Sequence, residues 1–162
     1  MKNPLVVSFG IAVLIVIGAI AGFFFFQRGA HLELRGQVLK VRTAALDENH
    51  SVAVVDFRFL NLADYEYNVH KVTVIVDDKS GMTLEGMTIS ELDAQHLFEG
   101  IPLLGQKYNP SLIVRNRIPP HATEDRMIAA SFPVPAAQLE MRRGLTVSVE
   151  EAEGVVSEIK EK

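Results

Sequence analysis

The chain has 162 residues, of which 16 are lysine or arginine and 20 are aspartate or glutamate, so its net charge is -4 with histidine neutral. This acidic balance argues against a nucleic-acid surface, because binding to phosphates needs clustered positive charge. The absence of cysteine excludes disulfides, thiolate metal sites and thiol catalysis.

The first predicted element is a membrane-spanning helix. No charged residue occurs between Leu5 and Phe26. A helix of this length, rising about 1.5 Å per residue, spans roughly 33 Å and covers a hydrocarbon core of about 30 Å. We therefore predict a single-pass membrane anchor over residues 1–27, followed by one domain over residues 28–162.

A cleaved signal peptide is the alternative interpretation of the same segment. The tripeptide Ala19-Ile20-Ala21 fits the small-x-small pattern that signal peptidase accepts. Cleavage there would leave the phenylalanine run 23–26 near a new N-terminus in water, where adjacent exposed rings promote aggregation. The uncharged stretch is also longer than the roughly 7 to 15 residues of a secretory apolar region. We therefore favour an uncleaved signal anchor in a bacterial cell (inner) membrane.

The anchor also carries signals for its orientation and its packing. The basic residues that follow the span favour a cytoplasmic domain, but a very short N-terminal flank with Lys2 is typical of a signal anchor. We favour the second orientation, with a periplasmic C-terminal domain. Gly18 and Gly22 lie four residues apart, a spacing that lets two helix backbones approach closely, although small residues are common in membrane helices in general. A partner helix would belong to another membrane subunit or to a second copy of this chain.

The domain after the anchor is predicted to be an antiparallel β-sandwich. In residues 51–61, alternate side chains are apolar, as in a strand with one buried face. About eight such segments, separated by turn-forming residues, are typical of an immunoglobulin-like sandwich of about 7–8 strands. The predicted strands are HLELRGQVLKVRT with Gly36 as a candidate bulge, SVAVVDFRFLN, VHKVTVIVDD, MTLEGMTI, SLIVRNRI, RMIAASF, LTVSVEE and VVSEI.

Two short helices are predicted between the strands. Ser90 and Asp93 resemble a capping box, so residues 91–100 are predicted to form a helix that ends at a glycine. Residues 135–144 are predicted to form one or two helical turns. Residues 92–104 hold more apolar side chains than a connection needs. This insertion either caps the sandwich core or forms an exposed loop that binds a partner or the membrane surface.

The order of these elements resembles a known type of domain. The resemblance rests on an N-terminal anchor, the strand VVDFRFLN ending at Asn61, a long hairpin, and RIPPHATEDRM leading into MIAASF. Together they resemble bacterial membrane-anchored immunoglobulin-like or fibronectin-like domains. The pattern covers most of residues 32–160 and is distantly similar to the late-embryogenesis-abundant type 2 sandwich. This resemblance implies a sandwich fold without catalytic residues.

The sequence shows no constellation for catalysis, a metal or a cofactor. No two of its five histidines have the spacing by which one helix or strand presents two ligands to a metal. The hydrolase, phosphate-loop and dinucleotide motifs are absent. His70 shares a predicted strand face with Val72 and Val74, so we expect a partly buried, hydrogen-bonded histidine there. We predict no catalytic, metal or cofactor-binding residue.

Two features are candidates for binding a partner. Two arginines alternate on one face of the predicted strand SLIVRNRI, which is either a solvated face or a docking surface for an acidic partner or lipid headgroups. The second feature is the apolar insertion. The candidate partner surface consists of Arg115, Arg117, Leu97, Phe98, Leu103 and Leu104.

These patterns predict a non-catalytic, single-pass accessory subunit of a larger membrane assembly. It would contact other subunits through the anchor helix and a face of the sandwich. The alternative is a tethered sandwich that binds a lipid or another small apolar ligand between its sheets. The lack of a convergent polar set argues against an enzyme.

Overall fold

The structure is a computed structural model, and it describes residues 13–14, 16–20 and 33–161. The chain divides into two units, Met1–Leu32 and Glu33–Lys162. The described residues of the first unit before residue 21 are helical. No helix in the described part of the chain combines the length and the apolar character needed to cross a membrane. Most of the predicted anchor lies outside the described residues.

The second unit is an all-β domain, as the sequence predicts. The strands found within residues 33–161 are β1 (Arg35–Ala45), β2 (Ser51–Leu60), β3 (Tyr67–Asp77), β4 (Thr83–Thr88), β5 (Arg117–Ile118), β6 (Thr123–Phe132), β7 (Gly144–Glu151) and β8 (Val156–Lys160). Helix α1 (Glu91–Gly100), a 3-10 helix (Pro102–Leu104) and helix α2 (Ala136–Glu140) lie between them.

The strands form one sheet in the order β1-β2-β6-β4-β3-β7-β8, and β5 pairs with β3. All the named strand pairs are antiparallel. A three-stranded part, β1-β2-β6, is joined to a four-stranded part, β4-β3-β7-β8, through the pairing of Met87 and Thr88 of β4 with β6. On the opposite side, the main-chain N–H of Leu34, just before β1, donates to Ser157 Oγ of β8 at 2.9 Å. The sheet is therefore nearly closed.

The main core lies between the two parts of the sheet. Phe57 and Phe59 of β2 point into it, on the face that the alternating pattern predicts, and they meet the buried valines of β3 and β7. Tyr67 is fully buried there, and its hydroxyl donates to the carbonyl of Val149 at 3.0 Å. Burial raises the pKa of Tyr67 to about 12.

A second core lies on the outer face of the three-stranded part. Residues 91–110, which contain the predicted insertion 92–104 and are called the insertion from here on, pack on this face, so β2 is buried on both sides over most of its length. Because two layers of apolar residues meet there, the insertion adds a layer to the domain instead of extending from it. The buried residues of this second core are Ala44, Val52, Val54, Ala94, Leu104, Met127 and Ala129.

The prediction of a strand over SLIVRNRI is wrong except for its last two residues, Arg117 and Ile118, which form β5. Residues 112–116 form an irregular segment, in which Asn116 Oδ1 accepts a hydrogen bond from the main-chain N–H of Ile113 at 2.9 Å. Arg115 adopts a positive φ of 70°. An asparagine side chain offers the backbone a local partner that competes with a strand ladder, and this competition shortens the strand.

Two local expectations need correction. A bulge in the β3–β7 pairing between Val69 and Lys71 shifts the alternation, so His70 is exposed instead of partly buried. The bulge in β1 lies between Val38 and Lys40 and not at Gly36. Glycine is needed at position 36 because a Cβ atom there would lie 2.5 Å from the carbonyl oxygen of a residue on β2.

Candidate binding grooves

The insertion is held on the sheet by a buried arginine. Arg42 Nη2 of β1 lies 2.7 Å from Asp56 Oδ2 of β2, and both side chains are less than a tenth exposed. Arg42 Nη1 also donates to the main-chain carbonyls of Leu104, at 2.6 Å, and Gln106, at 2.7 Å. One side chain therefore joins two strands to the loop after α1.

Further contacts complete this arrangement. Asn109 Nδ2 donates to Asp56 Oδ1 at 2.9 Å, so both carboxylate oxygens have partners. The Arg42 guanidinium lies 5.0 Å from the ring centre of Phe98 and 5.5 Å from that of Tyr108. Cation–π contacts at these distances are favourable, particularly where water is excluded. We call these five residues the Arg42 clamp.

The sequence pattern alone does not reveal the clamp. The alternation in β2 places Asp56 on the face opposite to Phe57, which is typical of a solvated carboxylate. The sequence does place an arginine and an aspartate on adjacent strands, at positions that a covering insertion would bury. They can be recognised as a pair only when the register of β1 and β2 is known, in which Arg42 lies opposite Val54 and Lys40 opposite Asp56.

An ion pair fixes the start of the insertion. Lys107 Nζ donates to Glu91 Oε1, and the main-chain N–H of Ser111 donates to Glu91 Oε2 at 3.3 Å. Burial alone would raise the pKa of Glu91, but the hydrogen bonds from Lys107 and Ser111 outweigh it and hold the pKa below its ordinary value. The first turn of α1 and the end of the insertion are thus tied to each other.

A first groove runs between α1 and the junction of β4 with β6. It encloses about 630 Å³ and has mainly apolar walls. Met87 and Leu46 are exposed at its rim, by 75% and 40%. We call it the α1 groove, and it is lined by Leu46, Met87, Thr88, Ile89, Ser90, Asp93, His96, Leu97, Gly100, Ile101 and Ser131.

A second groove lies on the other side of the chain segment that leads from β4 into α1. It encloses about 560 Å³. Its floor includes Val72 and Leu112 of the main core, and Ile113 and Val114 are exposed at its edge. We call it the β3 groove, and it is lined by Lys71, Val72, Thr88, Ile89, Ser90, Glu91, Leu112, Ile113 and Val114.

The six predicted partner residues do not form one surface. Leu104 is fully buried in the second core, and Leu97 and Phe98 are half-buried against it. Leu103, in contrast, is 78% exposed. Of these four residues, Leu97 lines the α1 groove.

The two predicted arginines are exposed but lie on a turn and a two-residue strand instead of a strand face. The main-chain N–H of Arg115 donates to the carbonyl of Val69 at 2.8 Å, which places it beside the β3 groove. Arg117 Nη1 lies 3.8 Å from Glu66 Oε2. The predicted helix-packing pair is only partly described, because Gly18 lies in a described helical stretch and Gly22 lies outside the described residues.

The lining of both grooves suits contact with an apolar surface of a ligand or partner. Both grooves present aliphatic walls with a few ionisable groups at their edges, Asp93 and His96 in the α1 groove and Lys71 and Glu91 in the β3 groove. In the described part of the chain, no group of three or more His, Asp or Glu side chains is arranged to hold a metal ion.

Comparisons of the chain with protein-family models, with curated proteins and with solved structures give no significant match. The function must therefore be argued from the grooves and the sequence.

Proposed function

We propose that this protein is a non-catalytic, membrane-anchored accessory subunit that docks on a larger membrane assembly through the α1 groove. The observation that carries the proposal is the exposure of large apolar side chains along this groove. Met87 and Leu46 lie at its rim, and half-buried Ile89, Leu97 and Ile101 form its walls. Exposed apolar residues grouped around a concave site are typical of protein interaction surfaces.

The strand order supports an immunoglobulin-like or fibronectin-like domain. In this proposal, β1, β2 and β6 correspond to strands A, B and E of such sandwiches, and β3, β7 and β8 correspond to strands C, F and G. In this correspondence the three-stranded and four-stranded parts of the sheet are the two layers of the sandwich, and the short β4–β6 pairing joins them at one edge of the main core. Domains of this architecture serve many functions, so the fold places no reaction in the site.

The sequence supports the membrane location. Residues 5–26 contain no charge and match the length of a membrane-spanning helix. We propose that the chain is a signal anchor of the cell (inner) membrane with its domain on the periplasmic side. Gly18 and Gly22 would then allow close packing with a helix of another subunit.

The docking surface is tested by a single charged substitution. Met87→Asp places a carboxylate at the rim of the α1 groove, and Met141→Asp introduces the same change at another exposed methionine. We expect Met87→Asp to lower the yield of co-purified partner subunits by about tenfold, which corresponds to a loss of ~1.4 kcal/mol of binding free energy. The measurement is affinity purification of the tagged full chain after mild detergent extraction of its native membrane. Equal yields from the two variants would contradict docking through this groove.

The anchor's part in the docking is tested separately. Gly18→Leu combined with Gly22→Leu removes the small-residue spacing and leaves the domain unchanged. We expect fewer partner subunits in the same purification, because bulky side chains separate the helix backbones. If the yield is unchanged, the helix-packing part of the proposal is wrong, and docking through the domain stands on the Met87 result.

A further inference from the structure

We propose that the β3 groove binds a single-chain lipid anion, such as a fatty acid. Its acyl chain would lie between β3 and the segment Leu112–Val114, and its carboxylate would lie beside Lys71 and Arg115. This inference goes beyond the docking role and uses the second groove.

The groove exists because β3 lacks a strand partner over part of one edge. On that edge β3 pairs with β5 at Tyr67 and Asn68, and with β4 only from Val74 onward. Between these points the carbonyl of Val72 accepts a hydrogen bond from the hydroxyl of Thr88 at 2.8 Å. The gap is too short for an added peptide strand, since β4 and β5 close both of its ends. A flexible chain without hydrogen-bonding groups can still fill it.

The walls of the groove match an acyl chain. Ile113 and Val114 remain 44% and 54% exposed, and the floor residues Val72 and Leu112 belong to the main core. A bound chain would therefore continue the apolar packing of the core outward and cover two exposed aliphatic side chains. The volume of about 560 Å³ falls within the roughly 300–1,000 Å³ of small-molecule sites. This volume favours one chain over the two chains of a phospholipid.

The charges around the groove favour an anionic head. Lys71 lines the groove, and its contact with Glu85, at 3.3 Å, joins two side chains that are each more than half exposed, so this pair is weak. Glu91, the acidic group lining the groove, is already paired with Lys107. Arg115 is exposed next to Val114. Glu150 of β7 lies opposite Lys71 in the β3–β7 register, so Lys71 is shared between this acidic side chain and the groove, and Arg115 supplies the second positive charge at this end.

The conformation of Arg115 is consistent with a role for its side chain. Its φ of 70° is one that glycine adopts readily and that other residues rarely adopt. Non-glycine residues in this region are found preferentially at functional positions. Because glycine adopts this φ readily, replacing Arg115 by glycine should keep the turn and remove only the charge at this end of the groove.

The test is photocrosslinking of the full chain in membrane vesicles with a diazirine analogue of myristate. We expect label on residues 88–91 and 111–114, mapped by mass spectrometry of peptides. Unlabelled myristate should compete with the label at least about fivefold better than tetradecylammonium, which has the same chain length and the opposite charge. 1-Tetradecanol should lie between them.

Matched variants separate the two parts of the site. Val114→Asp should reduce labelling about tenfold or more, because it places a carboxylate in the apolar wall. Val156→Asp, at a comparably exposed valine of β8, should not. Lys71→Glu should reduce labelling about 2- to 5-fold, whereas Lys79→Glu in the β3–β4 turn should leave it unchanged. Arg115→Gly should give a similar 2- to 5-fold loss, and the fold is expected to tolerate it because glycine suits this φ.

Three results would overturn the proposal. The first is equal competition by myristate, tetradecylammonium and tetradecanol, which would show that no charge is recognised. The second is labelling that Val114→Asp and Val156→Asp affect equally. The third is a crosslink from the groove residues to another protein in place of the lipid probe, which would assign the groove to a protein partner.

Discussion

The two cores of the domain are built in different ways. The main core joins strands that alternate apolar and polar residues, and it packs chiefly by apolar contact, with Tyr67 and Ser157 as buried neutral polar groups. The second core joins the outer face of the three-stranded part to an insertion, and a buried arginine–aspartate pair lies beside it. The first core holds the two parts of the sheet together and provides the floor of the β3 groove, whereas the second core positions the walls of the α1 groove.

The difference shows which contacts restrict the insertion to one conformation. Apolar packing is tolerant of geometry, but a buried charge is favourable only when a counter-charge and well-placed hydrogen bonds compensate for its loss of water. Arg42 can satisfy the carbonyls of Leu104 and Gln106 only if the insertion adopts one path across the sheet. We infer that the clamp keeps the insertion, and hence the α1 groove, in a single arrangement.

The largest expected effect is in the main core. Phe57→Ala removes a fully buried ring at the centre of β2, so we expect the free energy of unfolding to fall by roughly 3–5 kcal/mol. Because this core joins both parts of the sheet, amide hydrogen exchange should increase throughout the domain. Denaturant unfolding of the full chain in detergent, together with hydrogen exchange, provides the measurement. If hydrogen exchange increased only in the insertion, the claim that the main core holds the whole domain together would be wrong.

The next effect is in the clamp. Asp56→Ala leaves the Arg42 charge buried without its counter-charge, so we expect a loss of about 3 kcal/mol. This value lies at the low end for broken buried pairs, because Arg42 keeps its two carbonyl partners. Exchange should increase first in residues 91–110. The double variant Arg42→Met with Asp56→Leu should recover most of the loss, and a double variant as unstable as Asp56→Ala would show that the charges themselves are needed.

A smaller effect is expected at the start of α1. Ser90 Oγ accepts a hydrogen bond from the main-chain N–H of Asp93 at 3.2 Å, so Ser90→Ala should cost ~1 kcal/mol. Hydrogen exchange should increase in α1 and remain unchanged in β2 and β6. Ser148→Ala, on β7, is the control. Equal effects of the two substitutions would mean that the cap does not stabilise the insertion.

The smallest effect is a dependence on pH. The pKa of Glu91 is lowered in the folded protein, so its contribution is present above its ordinary value of 4.5 and is lost as the pH falls through the folded value. Because Glu91 is more than a third exposed, we expect less than about 1 kcal/mol. Protection of the insertion amides, obtained from exchange rates corrected for their intrinsic pH dependence, should fall more in the wild type than in Glu91→Gln between about pH 6 and pH 3. Parallel profiles would exclude this ion pair as the cause.

The sequence predicts the main core well and the second core poorly. Alternation places Phe57 and Phe59 correctly, because a strand with one solvated face has period two, and the cap at Ser90 predicts α1. His70 was misassigned because a bulge resets the alternation and leaves no reliable trace in sequence. Residues 112–116 were misassigned because the local bond from Asn116 competes with strand pairing.

The candidate sites depend on tertiary contacts, so the sequence predicts less of them. Leu97 belongs to the apolar insertion that the sequence marks as part of a candidate partner surface, and it lines the α1 groove. Leu104 has the same apolar character but is fully buried, because the side of the insertion that faces the sheet is decided by the Arg42 clamp. The β3 groove combines residues from three separate segments, and no pattern along the chain connects them.

The most direct test of the central claim is to extract the full chain from its native membrane with a mild detergent and separate the extract on a native gel. Mass spectrometry then identifies the proteins that migrate with the chain. The account predicts a discrete complex with stoichiometric amounts of other membrane subunits. Migration of the chain alone, as a monomer or a homodimer, would contradict a role as an accessory subunit.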